Sequence, residues 1–210
     1  MKIAVSGSQN TGKSTFIKDF LNAWPMYETP KESYRDVIKE KNLPHSNEGN
    51  EESQRIILDH LIDQCQKYSK SDNVIFDRCV LDNLAYSSWL NLNGKVSDKF
   101  LDESRIIVRE TLSMFDIIFF IPLTKAASIA IEDDGLRNTD PVFREEIDNI
   151  FKIFEQSYHQ GDGRVFPKND GPPVIEIYGN PQERIMLTSL YVNKEGNHYG
   201  EEESLIKPAY

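Results

Sequence analysis

A glycine-rich segment near the start of the chain constrains the fold more than any other feature of the sequence. Gly7-Ser8-Gln9-Asn10-Thr11-Gly12-Lys13-Ser14 places two glycines around four residues and ends in a lysine and a hydroxyl side chain. An apolar run precedes the segment and a helical pattern follows it, so we expect it to join a strand to the start of a helix. This pattern predicts a phosphate-binding loop, in which backbone N–H groups surround a phosphate and the helix adds the positive end of its dipole.

Several side chains of this loop have expected tasks. The Lys13 ammonium is expected to reach the β- and γ-phosphates of a nucleotide, and the Ser14 hydroxyl to bind Mg²⁺. Thr15, at the start of the helix, is expected beside the α-phosphate. ATP and Mg²⁺ are therefore the predicted cofactors. The residues expected to bind the nucleotide are Gly7, Asn10, Thr11, Gly12, Lys13, Ser14 and Thr15.

Short apolar runs predict the strands of one parallel sheet. Their near-continuous apolar character is what a sheet covered on both faces requires. Helical patterns lie between them, and two helices have clear starts at Asp140-Pro141 and at Asn180-Pro181-Gln182-Glu183. The sequence therefore predicts a three-layer α/β fold of the P-loop NTPase type, with a five-stranded parallel sheet and helices on both faces. The runs are Lys2 to Ser6, Met26 to Thr29, Asn73 to Phe76, Asp116 to Ile121 and Val174 to Tyr178.

Length and composition narrow the possible partners and surroundings. The 210 residues suit a single domain, predicted over 1–192 and followed by a loosely packed tail over 193–210. A net charge of −10 disfavours nucleic acid as a partner, because phosphate backbones are bound by clustered Lys and Arg. We expect no membrane span and no export signal, and two separated cysteines fit a reducing cytoplasm. The sequence leaves open whether the chain forms a homo-oligomer.

Two acidic residues are candidates for catalysis. Asp77 ends an apolar run, the position from which an acid holds Mg²⁺ directly or through water, although an acid there can also cap a helix. Glu32 follows the second predicted strand, where its carboxylate can orient or deprotonate an acceptor hydroxyl. Arg35, three residues later, can hold Glu32 or an anion of the acceptor. The sequence leaves open which acid is the base, and a solvated helix start is the other interpretation of Glu32.

A segment of about 125–145 follows the fourth predicted strand and is expected to close over the nucleotide. Arg137 and Arg144 within it are candidates for neutralising charge on the transferred phosphoryl group and on the substrates. The other interpretation is that both arginines are charged residues on the surface.

One helix face offers possible contacts to the acceptor. Asp82, Tyr86 and Trp89 are spaced i, i+4 and i+7, so a carboxylate and two rings share that face and can bind a base. Such a stripe is more often part of a core, and we favour that interpretation.

Together these elements resemble P-loop nucleoside and nucleotide kinases of the AAA type, typified by the nicotinamide riboside kinase domain of bacterial NAD regulators. The resemblance covers about residues 1 to 190. It is carried by the loop from Gly7 to Ser14, Glu32 with Arg35, Asp77, Asp134-Gly135-Leu136-Arg137 and the stretch from Tyr178 to Arg184.

The run Phe76-Asp77-Arg78-Cys79 also resembles the acid-arginine element of deoxynucleoside and thymidylate kinases. This resemblance implies that Asp77 and Arg78 serve the metal and the acceptor. A regulatory GTPase is excluded, because the sequence has neither D-x-x-G nor an N/T-K-x-D guanine reader.

Three functions follow as hypotheses. The first is an ATP- and Mg²⁺-dependent kinase for a small nucleoside or nucleotide acceptor, in deoxynucleotide metabolism. The second is a kinase that acts on hydroxymethylated bases in DNA. The third is a nucleotide-binding regulator without transfer activity, because a fold alone does not prove chemistry.

Overall fold

The strand that precedes the glycine-rich loop lies in the interior of a parallel sheet. The computed structural model describes residues 1–123, 140–168 and 171–199. In these residues the sheet has four strands in the order β2-β1-β3-β4, and all neighbouring pairs are parallel. The strands are β1 (Lys2–Ser6), β2 (Val74–Asp77), β3 (Ile117–Phe120) and β4 (Val174–Glu176).

Helices cover both faces of the sheet. Helices α1 (Lys13–Ala23) and α7 (Pro181–Thr188) pack on one face, where Ile3 and Val5 of β1 point. The other face carries the larger group of helices, packed against Ala4. Alternate residues of β1 thus enter two separate cores, which confirms the predicted three layers. The helices of the second face are α2 (Tyr34–Lys41), α3 (Glu51–Lys67), α4 (Val80–Leu92), α5 (Asp98–Leu112) and α6 (Pro141–Gln160).

The second predicted strand, Met26 to Thr29, is not a strand within the described residues. In the run Met26 to Thr29, only Glu28 pairs, as an isolated parallel bridge with Val74. Pro25 and Pro30 flank the run, and a proline has no N–H to donate to a ladder. The pairing therefore stops at two hydrogen bonds, from Glu28 N to Asn73 O and from Ile75 N to Glu28 O.

Both predicted helix starts are confirmed. Asp140 caps α6, with its carboxylate accepting from Val142 N at 2.9 Å and proline in the first turn. Asn180 caps α7 and forms a capping box with Glu183. These signals work because the caps satisfy N–H groups that have no partner within the helix.

The first part of the predicted tail contacts the domain. Asn193 O accepts from Trp24 Nε1 at 2.7 Å, and Gly196 O accepts from the Tyr27 hydroxyl at 2.6 Å. The tail is thus attached to the domain at Asn193 and Gly196, while Lys194, Glu195, Asn197 and His198 are exposed and 200–210 lie outside the described residues. In the part of the chain that the structure describes, no helix has the length and the apolar character that crossing a membrane requires.

Candidate active site

The glycine-rich loop connects the carboxyl end of β1 to α1. Gly7 has φ 141°, and a Cβ there would lie 2.5 Å from the carbonyl oxygen of Ile121. Gly12 has φ 85° and stands immediately before α1. Both positions require glycine, one for a close approach of two backbones and one for a left-handed turn into the helix. The loop therefore directs the N-terminus of α1 to the carboxyl edge of the sheet, as the sequence predicts.

Lys13 reaches back across this loop. Its ammonium donates hydrogen bonds to Gly7 O at 2.8 Å, to Ser8 O, and to Thr11 Oγ1 at 3.4 Å. Burial lowers the pKa of Lys13 well below its usual range, and the nearby charge of Arg78 acts in the same direction. The ammonium thus lies within the loop that is expected to hold phosphates.

Asp77 lies at the end of β2, in register with Val5 on the neighbouring strand. Its Oδ2 accepts from Ser14 Oγ at 3.2 Å and lies 3.9 Å from Arg35 Nη1. Its Oδ1 is buried and has no hydrogen-bond partner within the described residues. The structure thus brings together Ser14, Asp77 and Arg35, three of the predicted site residues.

Ser14 and Asp77 fit a site for Mg²⁺ bound together with a nucleotide. Mg²⁺ in phosphate sites takes one or two carboxylates, and phosphates and water supply its other oxygens. The buried Asp77 Oδ1 without a partner is an oxygen of the required kind. Among the described residues, no group of three or more His, Cys, Asp or Glu could hold a metal by itself.

A pocket opens beside these residues, between the loop and helices α2, α3 and α4. Gln9 of the loop and Arg35, the partner of Asp77, both belong to its wall. A molecule in this pocket would therefore contact residues next to the predicted phosphate site. The lining consists of Gln9, Tyr34, Arg35, Ile38, His45, Ser46, Gln54, Ile57, Leu61, Arg78, Asp82 and Tyr86.

Arg78 forms part of the pocket wall between two tyrosine rings. Its guanidinium carbon lies 4.8 Å from the centre of the Tyr34 ring and 5.2 Å from that of Tyr86. Its Nη1 lies 3.0 Å from Asp82 Oδ1, and its Nε is buried without a partner in the described chain. The backbone of Arg78 has φ 77°, which non-glycine residues rarely adopt and which is often found at functional sites.

Asp82 lines the pocket, and its carboxylate is held by hydrogen bonds within the fold, so its predicted role in substrate binding stays a prediction. Its side chain is only 1% exposed, and both oxygens accept two hydrogen bonds. Its Oδ1 accepts from Arg78 and from Gly7 N, and its Oδ2 from Ser6 Oγ and from Cys79 N. The cause is its place in the first turn of α4, where it forms a capping box with Cys79.

The rings on α4 have different surroundings. Tyr86 lines the pocket and its hydroxyl accepts from Arg78 Nη2 at 3.4 Å. Trp89 packs edge-on against Phe143 of α6 with ring centres 4.7 Å apart, and its Nε1 donates to Glu146. On this stripe Trp89 is partly buried and packs against the core, whereas Tyr86 forms part of the pocket wall.

Glu32 is exposed, away from the pocket lining. Its backbone oxygen accepts from Gln64 Nε2, while its carboxylate makes no hydrogen bond or ion pair with a described residue. Arg35, which was expected to hold Glu32 or an anion of the acceptor, pairs with Asp77 and not with Glu32, and its role toward an anion stays a prediction. Arg137, predicted to act from the segment of about 125–145, lies outside the described residues.

Arg144 contacts the loop backbone, and its predicted role in substrate binding stays a prediction. Its Nε donates to Gln9 O at 3.1 Å and its Nη2 to Asn10 O at 3.2 Å. Arg184 of α7 donates from Nη1 to Thr11 O at 2.8 Å. We did not predict the role of Arg184, because sequence spacing carries no signal for a contact between a helix and a loop 173 residues away.

Gln54 of α3 lines the pocket, and we did not predict this from the sequence. Its Oε1 accepts from Asn83 Nδ2 at 3.0 Å and from Ser87 Oγ at 3.4 Å. These bonds fix the orientation of the amide, so its oxygen is turned to α4. A lone glutamine on a helix has no motif that could reveal such an arrangement.

Comparisons with known proteins agree with this architecture. A family model described as an AAA domain matches residues 2–160. No curated protein sequence matches the chain.

Three solved structures show the similarity of fold. The NadR protein in complex with NR is 16% identical with a TM-score of 0.64, covering 100% of this chain and 53% of that chain. The deoxyadenosine kinase from M. mycoides with products bound is 19% identical with a TM-score of 0.60, covering 90% and 96%. The thymidylate kinase from Candida albicans is 15% identical with a TM-score of 0.59, covering 90% and 88%. The chain thus spans about half the length of the NadR chain.

Proposed function

This chain belongs to the AAA-domain family, and we propose that it is a phosphotransferase that moves the γ-phosphoryl group of ATP to an oxygen of a nucleoside or nucleotide. The observation that carries the proposal is that the glycine-rich loop and the pocket share a wall. Gln9 belongs to both, and Arg35 joins the pocket to Asp77 and Ser14. A kinase needs its donor and acceptor sites side by side, because transfer is largely a matter of positioning and charge stabilisation.

The donor side is built from the loop and Lys13. Backbone N–H groups of the loop and the N-terminus of α1 surround the phosphates, and the Lys13 ammonium exchanges its loop acceptors for phosphate oxygens. The positive charge of Lys13 then offsets the charge that develops on the transferred group. Transfer runs in line from the leaving oxygen of ADP to the acceptor oxygen.

Ser14 and Asp77 would hold Mg²⁺ on this side of the site. When bound, the ion would neutralise negative charge on the phosphates. The Ser14 hydroxyl and the Asp77 carboxylate are already in contact, so little rearrangement is needed to present both oxygens.

Asp77 is the acid that we assign to the acceptor hydroxyl. It lies at the carboxyl edge of the sheet and is linked to the pocket by Arg35, whereas the Glu32 carboxylate is exposed. Asp77 would accept the proton of the hydroxyl as the new O–P bond forms. Arg35 keeps this carboxylate oriented between the two substrates.

The acceptor pocket has the composition that a nucleoside requires. Tyr34 and Tyr86 supply aromatic walls around Arg78, and Gln54 supplies an amide of fixed orientation. The flat ring of a base packs on aromatic side chains, and an amide forms hydrogen bonds with the polar edge of the base. The deoxyadenosine kinase and thymidylate kinase of similar fold support this acceptor class. A cytoplasmic location, where ATP and nucleosides are available, is part of the proposal.

A panel assay tests the proposal. Purified protein with Mg²⁺ and ATP is offered ribo- and deoxynucleosides, their monophosphates, nicotinamide riboside, and duplex DNA with and without hydroxymethylated pyrimidines. We expect ADP and a phosphorylated product with one small-molecule class. Product on the modified DNA alone, with activity that falls steeply as the salt concentration rises, would show that the acceptor is DNA and not a small molecule. Tight ATP binding without any product would show a nucleotide-binding regulator instead.

A further inference from the structure

We propose that Arg144 and Arg184 are positioning residues that shape the nucleotide-binding loop from behind, by holding three consecutive backbone carbonyls away from the phosphates. The inference rests on the proposed function only in that the loop binds a nucleotide. It assigns a role to two arginines that do not belong to the glycine-rich motif.

The two arginines bind adjacent peptide units. Arg144 donates to the carbonyls of Gln9 and Asn10, and Arg184 donates to that of Thr11. A trans peptide is planar, so its C=O and N–H point in opposite directions. Because each of these carbonyls is turned to an arginine, the N–H group of the same peptide unit points away from that arginine. Successive N–H groups with a common direction form a concave binding site for an anion.

Both guanidiniums are built into the fold. Arg144 is 8% and Arg184 is 4% exposed, so neither is a surface charge. Burial lowers the pKa of both groups, and this cost of desolvation is offset by their hydrogen bonds to carbonyl oxygens. The positive charges also lie directly behind the loop, where they favour a polyanion on its open side.

The arginines approach from opposite faces of the sheet. Arg144 comes from the first turn of α6, and its own carbonyl accepts from Ser8 Oγ at 2.9 Å. Arg184 comes from α7 and also donates from Nε to Gly179 O at 2.9 Å. The loop is therefore held between the two helical layers, at its middle and near its end.

A guanidinium suits this task better than an ammonium. Each arginine uses two different nitrogens to bind two different carbonyls. The planar guanidinium group can bind two carbonyls at once without changing its conformation, whereas the lysine ammonium has its charge at a single nitrogen. Lysine at either position would keep the charge but lose one of the two contacts.

The test compares Arg144→Gln, Arg184→Gln and both lysine variants with the parent. The control is Arg109→Gln, because Arg109 Nη1 also donates to a loop carbonyl, that of Gly163 at 3.0 Å, far from the nucleotide loop. Calorimetry measures the binding of ATP and of tripolyphosphate, which carries the phosphate chain alone. Near-ultraviolet circular dichroism verifies the fold of each variant.

We expect each glutamine variant to bind both ligands about tenfold to a hundredfold more weakly, the loss typical of a hydrogen bond to a charged group. Each lysine variant should bind both ligands more weakly than the parent but more tightly than the glutamine variant. Arg109→Gln should bind like the parent. In the transfer assay the KM for ATP should rise while the KM for the acceptor stays unchanged, a split that general destabilisation would not produce.

A folded glutamine variant that binds tripolyphosphate within about twofold of the parent would overturn the proposal, because the expected loss exceeds this margin. If a glutamine variant does not fold, the lysine variant decides by the same criterion. Binding of ATP by the parent without phosphoryl transfer would refute the proposed function and leave this inference intact. Failure of the parent to bind ATP or tripolyphosphate would refute both.

Discussion

Ser14 and Asp77 form a hydrogen bond of 3.2 Å between the helix that follows the glycine-rich loop and the end of the neighbouring strand β2. The bond joins two segments that are 63 residues apart in sequence. It places a hydroxyl and a carboxylate together at the carboxyl edge of a parallel sheet, where α/β proteins bind their ligands.

Replacing Asp77 by asparagine should lower the transfer rate at saturating Mg²⁺, because the proposed proton acceptor is lost. It should also raise the Mg²⁺ concentration needed for half-maximal transfer by about tenfold or more, because a charged ligand is lost while the shape is kept. The measurement is a Mg²⁺ titration of the transfer rate at saturating ATP. Asp116→Asn is the control, because Asp116 accepts from Lys2 N at the opposite end of the sheet. An unchanged Mg²⁺ dependence would remove Asp77 from the metal site.

Replacing Lys13 by alanine should lower kcat by a factor on the order of 10² to 10³, the usual effect of losing one charge-stabilising donor. Lys18→Ala is the matched control, because Lys18 is exposed on the same helix. Steady-state kinetics provide the comparison. The proposed transfer chemistry would be wrong if the Lys13 variant were as active as the parent.

Gln54→Met should raise the KM for the acceptor by about tenfold, since the variant removes the hydrogen bonds of a buried amide and leaves Asn83 Nδ2 with one partner fewer. The KM for ATP should stay the same. Gln66→Met serves as the control, because Gln66 is exposed on the same helix. Equal changes in both KM values would indicate a general loss of structure instead of acceptor recognition.

Both cysteines should be inert to alkylation in the folded protein. Burial raises the pKa of Cys65 to about 12 and also raises that of Cys79. The thiolate is the reactive form, so at about pH 8 almost none is present, and both side chains are buried. Iodoacetamide followed by mass spectrometry should show no adduct in the native state and two in denaturant. Rapid native labelling of either cysteine would contradict the described packing.

The sequence was sufficient to predict the loop, three layers and two helix starts. These features depend on local chemistry: glycines where the backbone turns, apolar runs where both faces are covered, and proline after a capping residue. β1 has the predicted bounds, Lys2–Ser6. The predicted strand over Met26 to Thr29 failed because a run between two prolines cannot extend its ladder beyond Glu28.

The side chains around the site were harder to predict, since their roles depend on distances between elements. Arg35 was expected beside Glu32 but pairs with Asp77, which is 42 residues further along the chain and belongs to another element. Asp82 has the chemistry of a ligand, yet its position as the third residue of α4 makes it a capping group. The spacing of residues along one helix shows which side chains share a face, but it does not show which other parts of the protein pack against that face.

The bonds from Arg144 and Arg184 to the loop have a consequence for the order in which the protein matures. The loop precedes both arginines in the chain, and its carbonyls are held by residues 135 and 173 positions later. A nascent chain on the ribosome therefore cannot complete the loop until α7 has emerged from the exit tunnel. Contacts of such long range are slow to form, so the competence to bind a nucleotide should appear only after α6 and α7 have packed against the loop.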